Sequence, residues 1–303
     1  LKITGVAGKE MWAGIEDETS IAAIRAAVDA GITTFDTAEA YGRGHSERIL
    51  GQALKDVRHQ VVIATKAFPT NLAYDKLIDA CNRSLKNLQT DVIDLYQIHW
   101  PTGVHGSRHV PIEKTMAGLN RLKADGKIRS IGVSNFSVTQ LDEASQYGRI
   151  DSLQPPYSLL WRHFESEAQS YCQQNDITVL AYSPMAQGLL TAKFGPDHRF
   201  ARGDHRIQNK LFAKNQFERV QQALAQLKPI AQKKHISMAQ LALAWVQAHA
   251  QTCAIAGARN TRQVKENAAA MEIVLTAEEL EQMDIISQQV TNHLDDNPIL
   301  WNF

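Results

Sequence analysis

Short β-branched runs alternate with amphipathic helical patterns along the whole chain, and this alternation constrains the fold more than any other feature. Strands that alternate with helices form parallel sheets joined by right-handed helical crossovers. The pattern therefore predicts either a TIM barrel or a doubly wound sheet. Seven strands are expected over residues 32–36, 61–66, 92–99, 128–135, 152–154, 177–183 and 252–256, and residues 1–4 resemble the end of an eighth.

Helices are expected between these strands. The predicted bounds are residues 17–30, 46–54, 112–124, 217–234, 238–250 and 277–290, with further helices around residue 81 and from residues 137, 165 and 261. The stretch 187–216 shows no clear periodicity, and we expect most of it to be a functional loop.

Two observations favour the closed barrel. Eight strands suit it, and polar residues stand at the C-terminal ends of successive strands, where a TIM barrel carries its active site. A Rossmann nucleotide site is unsupported, because Gly42 and Gly44 are followed by Glu47 where the third glycine of GxGxxG should stand. We predict one (β/α)8 barrel domain over residues 1–303.

The charge balance excludes several classes of partner. The chain has 32 basic and 32 acidic residues with no run of like charge, so it carries no electrostatic footprint for nucleic acid. No apolar run approaches the about 20 residues that span a bilayer, and no signal peptide opens the chain. Three distant cysteines imply neither a disulfide framework nor a CxxC site. We predict a cytoplasmic protein with a small-molecule partner, without nucleic acid or membrane; a monomer is favoured, and the oligomeric state stays open.

Titratable residues end three successive strands. Asp36 ends the run 32–36 with Tyr41 in the loop after it, Lys66 ends the next strand, and His99 the one after. Alone, an aspartate after a strand is usually a turn or cap residue. Adjacent strands of a barrel would, however, bring all four side chains to one rim.

These four residue types suit the reduction of a carbonyl group. An ammonium beside a phenol favours the phenolate and lowers the phenol's pKa, so Tyr41 beside Lys66 becomes a proton donor. Asp36 would hold Lys66, and His99 could donate a hydrogen bond to the carbonyl oxygen. No side chain can supply a hydride, so a nicotinamide cofactor is implied.

Six motifs resemble the aldo-keto reductase superfamily over nearly the whole chain. They are FDTAEAYG at 35–42, ATK at 64–66, DLYQIHW at 94–100, GKIRSIGVSNF at 126–136, QPPY at 154–157 and AYSP at 181–184. The chain is most similar to the bacterial and plant NADPH-dependent branch, near the channel β-subunits and general stress proteins. The resemblance implies a (β/α)8 barrel, NADPH/NADP+ bound without a Rossmann domain, and a catalytic tetrad of Asp36, Tyr41, Lys66 and His99 with Tyr41 as general acid.

The same resemblance implies the cofactor contacts. Ser134, Asn135 and Gln154 would hold the nicotinamide carboxamide, and the Tyr182 ring would stack on the nicotinamide. The loop over the pyrophosphate comprises Ser183, Pro184, Met185, Ala186, Gln187, Gly188 and Leu189, with Lys193 and Arg206 offsetting phosphate charge. The adenosine site comprises Gly257, Arg259, Gln263, Glu266 and Asn267, where Arg259 on the 2′-phosphate would favour NADPH over NADH. Trp100 is expected to line the substrate pocket.

The resemblance also sets two expectations about departures from the family pattern. The family's N-terminal hairpin and most of its first strand would precede Leu1, either truncated or unobserved. Ala256 stands where many members have proline.

Other functions were weighed against this one. A cofactor-sensing regulatory subunit with slow turnover would keep the barrel, but the relatives of that kind differ at His99. A metal-dependent barrel hydrolase would need a cluster of metal ligands at the strand ends, which the sequence does not show, so we expect no metal. His105 and His109 have the i, i+4 spacing of metal ligands on a helix, but Gly106 indicates a loop there. The segment GVSNF at 132–136 resembles the start of the G-x-S-x-G motif that carries a hydrolase nucleophile, but it lacks the closing glycine, so Ser134 is not expected to be a nucleophile. Substrate specificity should reside in the loops and tail at residues 99–111, 187–216 and 292–303. Their sequence does not identify the substrate.

Overall fold

The computed structural model describes residues 3–5, 16–200 and 204–301, and eight parallel strands close into a barrel in chain order. The first strand pairs with both the second and the eighth, which completes the closure. The strands are β1 (Ile3–Gly5), β2 (Thr34–Asp36), β3 (Val62–Ala67), β4 (Ile93–Ile98), β5 (Ile128–Ser134), β6 (Ser152–Gln154), β7 (Thr178–Ala181) and β8 (Thr252–Gly257). The predicted TIM barrel is confirmed, and the doubly wound alternative is wrong.

Ten α-helices surround or follow these strands in the described part of the chain. They are α1 (Asp17–Asp29), α2 (His45–Leu54), α3 (Tyr74–Leu88), α4 (Ile112–Ala124), α5 (Val138–Ser145), α6 (Ser170–Gln174), α7 (Lys214–Lys233), α8 (Met238–Gln247), α9 (Thr261–Ala269) and α10 (Ala277–Thr291). Several begin at a capping box, in which a side-chain oxygen and a glutamine or glutamate three residues later satisfy the first backbone N–H groups; Ser137, Ser237 and Thr276 start them.

Two predicted helix bounds are displaced, because α7 begins at Lys214 rather than at residue 217 and α8 ends at Gln247 rather than at residue 250. Two further regions differ from the expected pattern. The stretch 187–216 contains short 3-10 helices at Ala186–Thr191, His205–Gln208 and Lys210–Phe212. These turns are too short to show a period, and side-chain caps from Asp204 and Asn209 stabilise two of them. The helix expected from residue 165 is a π-helical turn that continues into α6.

Strand register places polar side chains at one end of the barrel. Asp36 pairs with Ala64, two residues before Lys66, and Lys66 pairs with Gln97, two residues before His99. Because side chains alternate between the two faces of a strand, residues two apart share a face. Lys66 therefore lies two residues closer to the C-terminal rim than the partner of Asp36, and His99 lies two residues closer than the partner of Lys66.

The opposite end of the barrel is held by a buried carboxylate. Asp94, 6% exposed, accepts hydrogen bonds from Arg58 and Arg129 at 2.7 Å each, and from the Ile63 backbone N–H at 2.9 Å. Arg58 also donates to the Val92 carbonyl at 2.7 Å. One carboxylate thus joins the starts of β3, β4 and β5.

The remaining composition-based expectations concern cysteines and membranes. The three cysteines are free thiols; Cys81 and Cys172 are buried, and Cys253 is half-buried. Within residues 3–5, 16–200 and 204–301, no helix combines the length and apolar character needed to cross a bilayer.

We expect Asp94→Ala to lower the free energy of unfolding by about 2–4 kcal/mol, because it leaves two guanidinium groups and a strand N–H without their acceptor. Urea denaturation followed by circular dichroism measures the change. Asp125→Ala is the control, since among the described residues Asp125 forms its ion pair with the exposed Arg121 one helical turn away, and its loss should cost about 0–1 kcal/mol. Equal losses for the two variants would contradict the assigned role of Asp94.

Candidate active site

The structure brings Asp36, Tyr41, Lys66 and His99 together at the C-terminal rim. Lys66 Nζ donates to Asp36 Oδ1 at 2.5 Å and to the Thr37 carbonyl at 2.9 Å. It lies 5.4 Å from the centre of the Tyr41 ring. The Tyr41 and His99 rings meet edge to face with centroids 5.6 Å apart. The ammonium is therefore placed between a carboxylate and a phenol, as the strand ends predict.

The second oxygen of Asp36 is also saturated. Gln97 and Gln154 donate to Asp36 Oδ2 through their Nε2 atoms at 3.1 and 3.0 Å, and Gln154 Nε2 donates to Gln97 Oε1 at 3.3 Å. All three residues are buried. Two amides thus hold the carboxylate in the orientation that meets Lys66.

The four residues expected around the nicotinamide form one hydrogen-bonded group. Ser134 Oγ donates to the Gln154 carbonyl at 2.8 Å, and Asn135 Nδ2 donates to Ser134 Oγ at 3.0 Å. The Tyr182 hydroxyl donates to Asn135 Oδ1 at 2.8 Å. Asn135 Nδ2 also donates to the His99 carbonyl at 3.1 Å, which joins this group to the tetrad.

The pKa of Tyr41 moves opposite to the direction expected from sequence. Burial raises the pKa of Tyr41, the Lys66 ammonium lowers it in part, and the Asp36 charge raises it again, so the net pKa lies above the ordinary value. The expected net lowering is therefore wrong, because the desolvation of a buried phenol outweighs one neighbouring ammonium. At neutral pH, Tyr41 keeps its proton, as a proton donor must.

Lys66 and His99 respond to the same burial differently. Burial disfavours the Lys66 ammonium, but Asp36 and Tyr41 together outweigh it and raise the pKa of Lys66. Burial lowers the pKa of His99 far below its usual range, and the charges of Lys66 and His105 add to this. The site at neutral pH thus holds a charged lysine beside a neutral histidine.

The segment expected over the pyrophosphate has an unusual backbone. Ser183, Ala186, Gln187 and Gly188 have φ values of 53°, 48°, 54° and 97°. A tight turn that combines right- and left-handed residues, as at Met185 and Ala186, can bring backbone N–H groups into a concave arrangement that suits anions. At Gly188, the φ of 97° favours glycine, and a Cβ atom there would lie 3.1 Å from Lys193 Nζ, so the lysine side chain would have to shift.

Three cations expected at the phosphates act on one another. Burial lowers the pKa of Lys193, and the charges of Arg206 and Arg259 lower it further. Burial and the Arg206 charge likewise lower the pKa of Arg259. Arg206 donates two side-chain hydrogen bonds to the Asp204 carboxylate, and its guanidinium carbon lies 4.6 Å from the centre of the Phe200 ring. Mutual repulsion of this kind fits a polyanionic ligand such as a nucleotide phosphate.

The remaining adenosine-site positions stand around the start of α9. Gln263 Oε1 accepts from the Arg259 backbone N–H at 2.8 Å, and Asn267 Nδ2 donates to the Gly257 carbonyl at 3.2 Å. Glu266 is half-buried on α9. The turn that presents Arg259 is therefore fixed by the side chains of its own helix.

Trp100, expected to line the substrate pocket, and other aromatic residues of the chain occupy different environments. Trp100 is half-buried and packs edge-on against His105 at 5.0 Å, beside the tetrad. Trp161 is a core residue. Trp301 lies nearly parallel to Tyr182. Trp12 and Phe303 lie outside the described residues.

Sequence reasoning missed several residues at this rim. Gln97 is one; alternation could have found it, since it shares a strand face with His99. Glu39 is another: it accepts from the Phe68 backbone N–H at 2.8 Å, and the Phe68 ring packs edge-on against His99 at 6.1 Å. Its signal was only a carboxylate inside the FDTAEAYG motif. Among the residues with described positions, no cluster of three histidine, cysteine or acidic side chains could hold a metal ion.

Comparison with known proteins agrees with this geometry. A sequence model described as "Aldo/keto reductase family" matches residues 4–288. The aldo-keto reductase YhdN of Bacillus subtilis is 40% identical over 254 residues, covering 80% of this chain and 75% of that protein. An NADH-specific methylglyoxal reductase of Escherichia coli is 35% identical over 292 residues, covering 89% of this chain and 88% of that protein. The structure of an aldo-keto reductase from Klebsiella pneumoniae in complex with NADPH superposes with a TM-score of 0.78 at 30% identity, covering 99% of this chain and 94% of that one.

We expect the Tyr41 phenol to titrate above the ordinary value of about 10, because its buried environment disfavours the phenolate. The measurement is the ultraviolet absorbance of phenolate against pH, taken as the difference between the protein and its Tyr41→Phe variant. Circular dichroism at each pH confirms that the fold persists. A midpoint at or below the ordinary value would show that Lys66 dominates over burial.

Proposed function

The chain belongs to the aldo/keto reductase family, and from this premise we propose that it reduces the carbonyl group of an aldehyde or ketone to an alcohol with NADPH. The observation that carries the proposal is the gathering of Asp36, Tyr41, Lys66 and His99 at one rim, with the Asn135 hydrogen-bonded group beside them. NADPH, when bound, would supply the hydride.

Tyr41 is the proposed proton donor. As the carbonyl carbon is reduced, its oxygen becomes an alkoxide, which is a stronger base than a phenolate and takes the Tyr41 proton. Lys66 then stabilises the phenolate left behind, and Asp36 keeps Lys66 charged. The raised pKa of Tyr41 supports this role, because the acid form predominates at neutral pH.

His99 is proposed to orient the carbonyl oxygen. Its pKa is far below the usual range because of burial, so the ring is neutral and carries a single N–H. A neutral imidazole can donate a hydrogen bond without competing with Tyr41 as the acid. The presence of His99 favours the enzyme over the cofactor-sensing alternative.

The nicotinamide end of the cofactor is proposed to lie against Ser134, Asn135, Gln154 and Tyr182. Gln154 Nε2 already donates to Asp36 and Gln97, so Gln154 would meet the carboxamide through Oε1. The phosphates are proposed to bind along the segment 183–189 and its cations. The left-handed backbone and the mutual repulsion of Lys193, Arg206 and Arg259 support this placement.

Cofactor choice depends on the adenosine end. One relative is named as specific for NADH, whereas a solved relative holds NADPH, so family membership alone does not decide it. In this chain Arg259 lies just before the N-cap of α9, close enough to Arg206 for their charges to interact. A guanidinium there suits a 2′-phosphate, which only NADPH carries.

We expect Tyr41→Phe to lower the turnover of carbonyl reduction by a factor of about 100 or more while NADPH binding stays nearly unchanged. The phenylalanine ring keeps the packing on His99 but has no proton to give. Loss of NADPH absorbance with a panel of aldehydes, ketones and dicarbonyls measures turnover, and the same panel shows which substrate class the wild type accepts.

The control for Tyr41→Phe is Tyr147→Phe, which removes a hydroxyl from an exposed tyrosine away from the rim. This control should reduce carbonyls as the wild type does. Near wild-type turnover in Tyr41→Phe would remove Tyr41 from the mechanism.

Arg259→Ala should weaken NADPH binding by about tenfold or more and affect NADH much less, since a charge-assisted contact to phosphate contributes about 1.5–3 kcal/mol. Tryptophan fluorescence titrations of both cofactors on both proteins measure this. Arg262→Ala, the neighbouring exposed arginine on α9, is the matched control. Equal losses for NADH and NADPH, or none, would place the 2′-phosphate elsewhere.

A further inference from the structure

The segment 204–212 connects the two ends of the proposed cofactor site. At its start, Asp204 holds Arg206, whose charge acts on Lys193 and Arg259 at the phosphate end. At its other end, Asn209 and Lys210 contact the C-terminal tail, residues 292–301. One short piece of chain therefore touches both the proposed phosphate site and the tail.

Asn209 is the centre of these contacts. It is 1% exposed, and its Nδ2 donates to Gln187 Oε1 in the cofactor loop at 3.1 Å. Its Oδ1 accepts from the Leu211 N–H at 2.9 Å, which caps the following turn. Its backbone forms a β-bridge with Trp301. Asn209 thus contacts the cofactor loop through its side chain and the last described residue of the tail through its backbone.

The tail is tied to the barrel on both sides of this bridge. The Lys210 N–H donates to the Leu300 carbonyl at 3.1 Å, and Lys210 Nζ donates to Asp295 Oδ1 at 2.7 Å. Trp161 Nε1 donates to the Pro298 carbonyl at 3.2 Å. These bonds fix the path of the tail up to Trp301.

Trp301 in turn restricts access to Tyr182. The two rings are inclined by only 8° with centroids 6.1 Å apart. A third ring between them would need about 7 Å, because carbon atoms pack at about 3.5 Å on each side. The position of Trp301 therefore limits where a nicotinamide can stack on Tyr182.

We propose that Asn209 is a positioning residue that holds Trp301 against Tyr182 and couples this pair to the cofactor loop through Gln187. The inference rests on the proposed function, since it assigns the coupling to the nicotinamide and carbonyl end of that site. Contact of the cofactor with the loop would then determine the position of the Trp301 ring, and with it the shape of the pocket that holds the carbonyl substrate. The described side-chain hydrogen bonds of Asn209 go to Gln187 and Leu211 rather than to the tetrad, so Asn209 should govern substrate affinity rather than the chemical step.

Asn209→Ser is the discriminating variant. A serine can still cap the turn at Leu211, but its shorter side chain does not reach Gln187. We expect KM for the carbonyl substrate to rise about threefold to tenfold while kcat stays within about twofold. A readout independent of turnover is the change in Trp301 fluorescence on adding NADP+, taken as the difference between each protein and the same protein carrying Trp301→Phe. This response should fall to less than about half of the wild-type change.

The matched control is Asn175→Ser, which alters an exposed asparagine that bonds only within its own helix end. It should leave KM and the Trp301 response unchanged. If Asn209→Ser fails to fold, Gln187→Leu removes the same hydrogen bond from its less buried side and, at NADP+ concentrations that saturate each protein, should reduce the Trp301 response equally. A wild-type Trp301 response and KM in the folded variant would overturn the proposal. If the wild type binds NADP+ but reduces no carbonyl, the proposed function fails, while the Trp301 response still decides the role of Asn209.

Discussion

The buried ion pair between Lys66 and Asp36 is the interaction on which the rest of the site depends. Lys66 is fully buried, and an ammonium can remain charged there only with a well-placed partner and saturated hydrogen bonds. Asp36 meets this demand only because Gln97 and Gln154 occupy its other oxygen. The pair thus requires β2, β3, β4 and β6 to keep one register. A shift of one residue in any of them would turn its polar side chain to the other face.

The same burial explains the balance of proton affinities. Low dielectric surroundings raise the pKa of Tyr41, and they would lower the pKa of Lys66 if Asp36 and Tyr41 did not oppose this. The result is a proton donor that stays protonated next to a cation that can stabilise its conjugate base. A more exposed site would give a phenol of ordinary pKa, but water would weaken the attraction between ammonium and phenolate. Burial therefore disfavours loss of the Tyr41 proton before the reaction. It also strengthens the attraction between the Lys66 ammonium and the Tyr41 phenolate once the alkoxide has taken the proton.

The sequence was sufficient for the features set by local pattern, and insufficient for those set by packing. Alternating strands and helices predicted the barrel, and the ends of three strands predicted Asp36, Lys66 and His99. The direction of the net pKa shift of Tyr41 could not be predicted, because the spacing of residues along the sequence does not show how deeply a side chain is buried. Gln97 was missed because one polar residue in an apolar strand has no local signature. The contact between Asn209 and the tail joins segments far apart in the chain, so no periodicity reports it.

The two ends of the site are held by different means, and this has a consequence for specificity. Asp36 and Lys66 lie in strands and His99 directly follows one, so strand register fixes their side chains, whereas Tyr41 lies in the loop after β2. The tail over Tyr182 is held mostly through its backbone: the Leu300 and Pro298 carbonyls accept hydrogen bonds, and the Trp301 backbone forms the bridge. Backbone contacts fix the path of a segment without dictating its side chains. The residue at 301 could therefore change the pocket wall while the tail keeps its course, and the acid–base chemistry at the rim would be unaffected.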